Sequence, residues 1–137
     1  MRTSHKNTNK GSVIIEGGAN IWPHELHTAT ALANAGYDVR FIPNNPSLAS
    51  ADAYINDTLF EFKSPEGESI KCIDNNLQKA LRRQSKNIVI DSSRVKKVQD
   101  RSILHFLTEK LRRKHGIGRL IFVTREGKVI DINALVR

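Results

Sequence analysis

A chain of 137 residues has room for one domain with a single core, and a composition of 39% apolar and 26% charged residues excludes a fully disordered protein. Its 22 lysines and arginines outnumber 14 acids, and the resulting charge of +8 favours polyanionic partners, nucleic acid first and an anionic membrane surface less specifically, with solubility alone as the plain alternative. One cysteine, Cys72, excludes an internal disulfide and a thiolate metal cluster, and no apolar run approaches the roughly 18 residues that span a bilayer.

"MRTSHKNTNKGS" is polar, basic and aperiodic, so residues 1–12 are expected to be a flexible arm and 13–137 the folded domain. "VIIEGGANIW" offers a short apolar run broken by two glycines, a small strand or a turn. Pro23 to Gly36, "PHELHTATALANAG", reads as a helix with proline in its first turn and a glycine placed to end it; Leu26, Ala29, Leu32 and Ala33 are its expected core stripe. "YDVRFIP" follows as a strand and "NNPSLAS" as a loop. "AYI", an Asn56-Asp57 turn and "TLFEFK" read as a β-hairpin.

A second helix is expected over Ser69 to Gln84, where Ile70, Ile73, Leu77 and Leu81 recur at helical spacing while Lys71, Lys79, Arg82 and Arg83 lie off that stripe. "NIVID" is a buried strand candidate, "RSILHFLTEKLRRKHG" a third helix ending in a basic turn, and "RLIFVTREGKVIDIN" a terminal hairpin. This succession predicts an α/β fold without internal repeats.

The hairpin carries the chemistry. A two-residue turn at Asn56-Asp57 sets Ile55 opposite Thr58, Tyr54 opposite Leu59, Ala53 opposite Phe60 and Asp52 opposite Glu61. Two carboxylates opposed across a strand pair repel, and a hard divalent cation such as Mg²⁺ offsets that repulsion by taking carboxylate oxygens, with water and substrate phosphate completing its shell. Strand alternation puts Lys63 on the same face as Glu61, while Phe60 and Phe62 point into the core. Two acids, a lysine and a metal suit phosphodiester hydrolysis. The plain alternative is a surface hairpin in which Glu61 and Lys63 form a solvated pair.

With these segments the sequence resembles the PD-D/ExK nuclease superfamily, whose restriction-endonuclease-like core is a helix, a three-stranded meander, a helix and a further strand. Asp52 matches the first motif acid and "EFK", with Glu61 and Lys63, the acid-x-lysine motif; Ala51 stands where proline is usual. The ordered segments "PHELHTATALANAGYDVRFIP", "DAYINDTLFEFKSP", "LQKALRRQSKNIVIDSS" and "GKVIDI" are similar to the tRNA-nuclease toxin domains at the carboxyl ends of contact-dependent growth-inhibition proteins.

The resemblance implies a single α/β domain whose mixed central β-sheet is flanked by helices, and a nuclease using Mg²⁺ or Mn²⁺ on tRNA. It implies Asp52, Glu61 and Glu25 as metal ligands, with Lys63 and Gln84 completing the catalytic set. It further implies a toxin that acts in the bacterial cytoplasm after delivery within a larger secreted protein, and a cognate immunity protein that masks its basic surface.

Each of these residues has a competing role. Glu25 is also an acid at a helix N-terminus, favoured there by the macrodipole, and Gln84 also suits a helix end. Lys79, Arg82, Arg83 and Lys86 are candidates to neutralise RNA phosphates, with solvated surface charge as a nearly equal alternative. Trp22 and Tyr54 have faces that could stack a base, but core packing is the expectation. "HELH" lacks the i, i+4 histidine spacing of a zinc protease. Two rivals stand beside the tRNA nuclease: a DNA endonuclease of the same fold, and a noncatalytic nucleic-acid-binding module.

Overall fold

The computed structural model describes residues 10–43, 52–113 and 116–136. In chain order the elements are β1 (Val13–Ile15), α1 (Pro23–Asn34), β2 (Val39–Phe41), β3 (Ala53–Ile55), β4 (Thr58–Lys63), α2 (Ile70–Arg82), β5 (Asn87–Asp91), α3 (Asp100–Arg112), β6 (Arg119–Val123), β7 (Val129–Asp131) and α4 (Ile132–Leu135). The strands lie side by side in sequence order. β1 pairs parallel with β2, β2-β3-β4 form an antiparallel meander, β4, β5 and β6 run parallel, and β7 closes the far edge antiparallel.

The period-2 alternation of the strands sorts their side chains to two faces. Phe41, Phe60, Phe62, Val89 and Ile121 pack with Ala29 and Leu32 of α1. Ile88, Ile90, Leu120 and Phe122 pack with Ile73 and Leu77 of α2, Ile103 and Leu107 of α3, and Ile132 of α4. The result is an α/β domain with a mixed sheet flanked by helices.

This topology fixes where side chains can meet. Each of α1, α2 and α3 links one strand to the start of its parallel neighbour, so each helix begins at the carboxyl end of the parallel strands. The start of the antiparallel β3 lies at the same end. Ligands of open α/β sheets gather at such ends.

Three expectations need correction. Leu26 is 40% exposed rather than part of the α1 stripe, and Thr28 and Ala31 are buried in its place; small residues let the helix lie close to the sheet, and the Thr28 hydroxyl finds a buried acceptor. Gly11 and Ser12 belong to the body, not to an arm: Gly11 N–H donates to Ala33 O at 2.7 Å and Ser12 bonds Asp38 through its N–H and hydroxyl. A side chain at Gly11 would meet the Tyr37 carbonyl oxygen at 1.8 Å, so only glycine allows that approach. The terminal hairpin stops at Asp131, whose carboxylate accepts from Asn133 N–H and starts the short α4. Residues 1–9 of the expected arm and the loop at 44–50 lie outside the described residues.

Candidate active site

Asn56 and Asp57 have φ of 46° and 71°, the two left-handed residues that a tight hairpin turn matched to strand twist requires. Asn56 Oδ1 accepts from Asp38 N–H at 2.9 Å, which ties the turn to the chain before β2. The register is Ile55↔Thr58, Tyr54↔Leu59 and Ala53↔Phe60. One residue further the pairing departs from the expected one-to-one order. Asp52 N–H donates to Phe60 O at 3.0 Å, and Phe62 N–H donates to Asp52 Oδ2 at 2.7 Å. The Asp52 carboxylate thus does the work of a ladder carbonyl, and the strand is re-aimed in the manner of a β-bulge. Asp52 is therefore not the plain cross-strand partner of Glu61.

Glu61 is buried, 4% exposed, on a strand otherwise anchored by Phe60 and Phe62. Its Oε2 lies 2.8 Å from Lys63 Nζ, and its Oε1 is buried without a hydrogen-bond partner. Burial pushes the Asp52 carboxyl up to about 6; the Phe62 N–H bond opposes this, the charges of Glu25 and Glu61 add to it, and Lys63 opposes it. Four of the five expected catalytic side chains, Glu25, Asp52, Glu61 and Lys63, therefore share one electrostatic environment, although α1, the start of β3 and β4 supply them. Glu25 has a second tie: its Oε1 accepts from Trp22 N–H at 2.8 Å, capping α1.

The donor set fits a hard cation. An orphaned buried carboxylate oxygen beside an acid that resists ionisation is the arrangement a divalent ion relieves, through oxygen ligands of which the protein need supply only one or two. Among the described residues no group of three or more His, Cys, Asp or Glu side chains is gathered to hold a metal ion. Asp52 and Glu61 are the side chains that would hold such an ion, with the Glu25 charge acting on Asp52.

The remaining expected residues lie elsewhere. Gln84 is exposed, with φ of 66°, and its N–H donates to Leu81 O; it ends α2 instead of turning back to the acids. Lys79, Arg82, Arg83 and Lys86 are exposed at the end of α2 and the turn into β5. By topology this is the opposite end of the sheet from Lys63.

Several residues at the acid end escaped the sequence reading. Asp91, at the end of β5, is fully buried and accepts from Thr28 Oγ1 at 2.6 Å and from Ser93 N–H at 2.8 Å, with His27 Nδ1 at 3.6 Å. Its only signal was an acid closing the apolar run "NIVID". Arg94 donates to Ser64 O at 2.8 Å, one residue past Lys63, and its Nε is buried without a partner. Trp22 is 66% exposed, contrary to core packing, and its ring lies parallel to His24. Tyr54 is half-buried beneath the Arg40 guanidinium, 4.5 Å from its ring centre.

None of the described helices is long and apolar enough to cross a membrane. The family model of the contact-dependent growth inhibition CdiA C-terminal domain matches residues 49–129, more than half of the chain and a span that holds the hairpin, α2, β5, α3 and β6. Among solved structures, a CdiA-CT/CdiI toxin and immunity complex from Burkholderia pseudomallei contains a chain of similar fold, with a TM-score of 0.71 and 23% identity over 88% of this chain and 97% of that one. No curated protein matches. The matched span and the shared fold together place this chain in the CdiA C-terminal domain family of contact-dependent growth inhibition, as a CdiA-CT-type toxin domain.

Proposed function

We propose that this toxin domain hydrolyses nucleic-acid phosphodiesters, with tRNA as its substrate, on a PD-D/ExK core formed by α1, the β2-β3-β4 meander, α2 and β5. The observation that carries the reading is the orphaned, buried Oε1 of Glu61 beside Asp52 and Lys63. Asp52 and Glu61 would hold Mg²⁺ or Mn²⁺. When bound, such an ion supplies a water of lowered pKa and polarises a phosphoryl oxygen. The Lys63 ammonium, oriented by Glu61, meets the charge that develops on the phosphate. Glu25 adds negative charge next to Asp52 and favours a cation there. The tRNA assignment rests on the resemblance of the ordered segments, and the charge of +8 agrees with it.

The solved relative is a toxin and immunity complex. By extension, a cognate immunity protein covers the basic surface of this domain in the producing cell.

Incubation of the purified domain with tRNA and with duplex DNA, in Mg²⁺, Mn²⁺ or chelator, tests the reading. Metal-dependent cleavage of tRNA is the expected result. Cleavage of DNA alone would make the domain a DNA endonuclease, and binding without cleavage would leave a noncatalytic module.

A further inference from the structure

We propose that Trp22, backed by His24, is a platform on which an unpaired nucleobase of the substrate strand stacks beside the candidate active site. The inference rests on the nuclease reading above and specifies how that site takes its substrate.

An indole left two-thirds exposed in a domain with two apolar core clusters gains little from the fold. Yet the backbone that carries it is held firmly. Its neighbour Ile21 packs against the α1-side core, and Pro23 follows it as the first residue of α1. Trp22 N–H donates to Glu25 Oε1, and Trp22 O accepts from the N–H groups of Glu25 and Leu26 at 3.0 and 3.1 Å. The ring lies within 9° of parallel to His24, with centroids 6.3 Å apart. The result is a solvent-facing aromatic surface on an anchored stretch of backbone, of the kind on which bases of single-stranded RNA stack without strong sequence preference.

Location selects the occupant. Trp22 precedes α1, which begins at the carboxyl end of the parallel strands where Asp52 and Lys63 also lie, and the Glu25 carboxylate that accepts from the Trp22 backbone N–H also acts on Asp52. A strand whose phosphate lies over Asp52, Glu61 and Lys63 brings a flanking base to this ring. The charge of +8 suits a polyanion better than an acid-poor apolar partner.

Trp22 is the only tryptophan of the chain, so intrinsic emission reports this position alone. The wild-type domain in chelator, which prevents cleavage, is titrated with a short oligoadenylate and with the same sugar-phosphate backbone lacking bases, while the anisotropy of an end-labelled copy follows binding. Quenching of Trp22 in step with the anisotropy, with oligoadenylate but not with the abasic strand, is expected. Trp22→Ala should weaken oligoadenylate binding by roughly 5- to 150-fold, and Trp22→Phe should recover most of it. Bound oligoadenylate with unchanged emission, or Trp22→Ala binding as tightly as wild type, overturns the platform and leaves the nuclease reading standing; the indole would then serve a protein partner. Absence of any anisotropy change with oligoadenylate and with tRNA overturns the nuclease reading and the platform with it.

Discussion

Lys63 Nζ holds one oxygen of the Glu61 carboxylate at 2.8 Å, and the other oxygen of that carboxylate is buried with no partner. The pair fixes both side chains on one face of β4 and leaves a single buried acceptor unsatisfied. Its removal affects folding and chemistry differently.

Glu61→Ala should abolish tRNA cleavage and also destabilise the domain by on the order of 3 kcal/mol, because it strands the half-buried Lys63 ammonium. Relief of repulsion with Asp52 acts in the opposite direction, but loss of the buried ion pair outweighs it. The double variant Glu61→Ala/Lys63→Met should regain most of the stability and none of the activity, as urea melts and a cleavage assay would read.

Lys63→Arg should lower the single-turnover rate far more than RNA affinity. The guanidinium is planar and larger than an ammonium, and it cannot occupy the same point beside Glu61 Oε2. Equal losses in rate and affinity would make Lys63 an ordinary phosphate contact.

Asp52 sets a pH dependence. Its carboxyl, pushed from 3.8 up to about 6, favours the protonated form in the folded state. The stabilisation from this group is fully present below pH 3.8 and is lost as pH rises through about 6. Asp52→Asn, which keeps an acceptor for Phe62 N–H, should match wild type near pH 4 and exceed it at pH 8 by up to about 3 kcal/mol. Mg²⁺ should stabilise wild type at pH 8 and leave Asp52→Asn unmoved; denaturation curves at the two pH values, with and without Mg²⁺, decide this.

Replacing Lys79, Arg82 and Arg83 together by Ala should flatten the salt dependence of RNA binding, lowering the slope of log affinity against log salt by about 2 for three single-strand phosphates. These residues stand at the other end of the sheet from the acids, so the cleavage rate at saturating RNA should not change. A salt titration in chelator, paired with single-turnover cleavage, separates the two effects. An unchanged slope would move the strand's path to the loop after β5, where Arg94, Lys96 and Lys97 border the acid end.

Much of this arrangement was legible in the sequence because local chemistry decided it. The Asn56-Asp57 turn, the register of Ala53 to Ile55 against Thr58 to Phe60, and the strand "NIVID" follow from turn propensity and alternation. Misread features depended on contacts distant in sequence. Thr28 is buried only because Asp91, in a strand far along the chain, accepts its hydroxyl, and that contact belongs to a helix roll that leaves Leu26 exposed. Asp52 left the expected pairing because its carboxylate took the Phe62 N–H, a competition that residue spacing does not express. Gln84 was tied to the acids by the family resemblance alone, whereas the parallel crossover through α2 carries it, with the basic cluster, to the opposite end of the sheet.

Among the described residues the sheet is open at both sides, and its outer strands, β1 and β7, are three residues long. Ile14 and Ile15 on β1 are about half exposed, 52% and 49%. A longer border of that composition would invite a neighbouring molecule to add its own strand, the usual route to sheet aggregation. Here the free border offers so few backbone donors and acceptors that such an addition gains little. Brevity guards a hydrophobic margin, and lengthening β1 would remove that protection before it strengthened the fold.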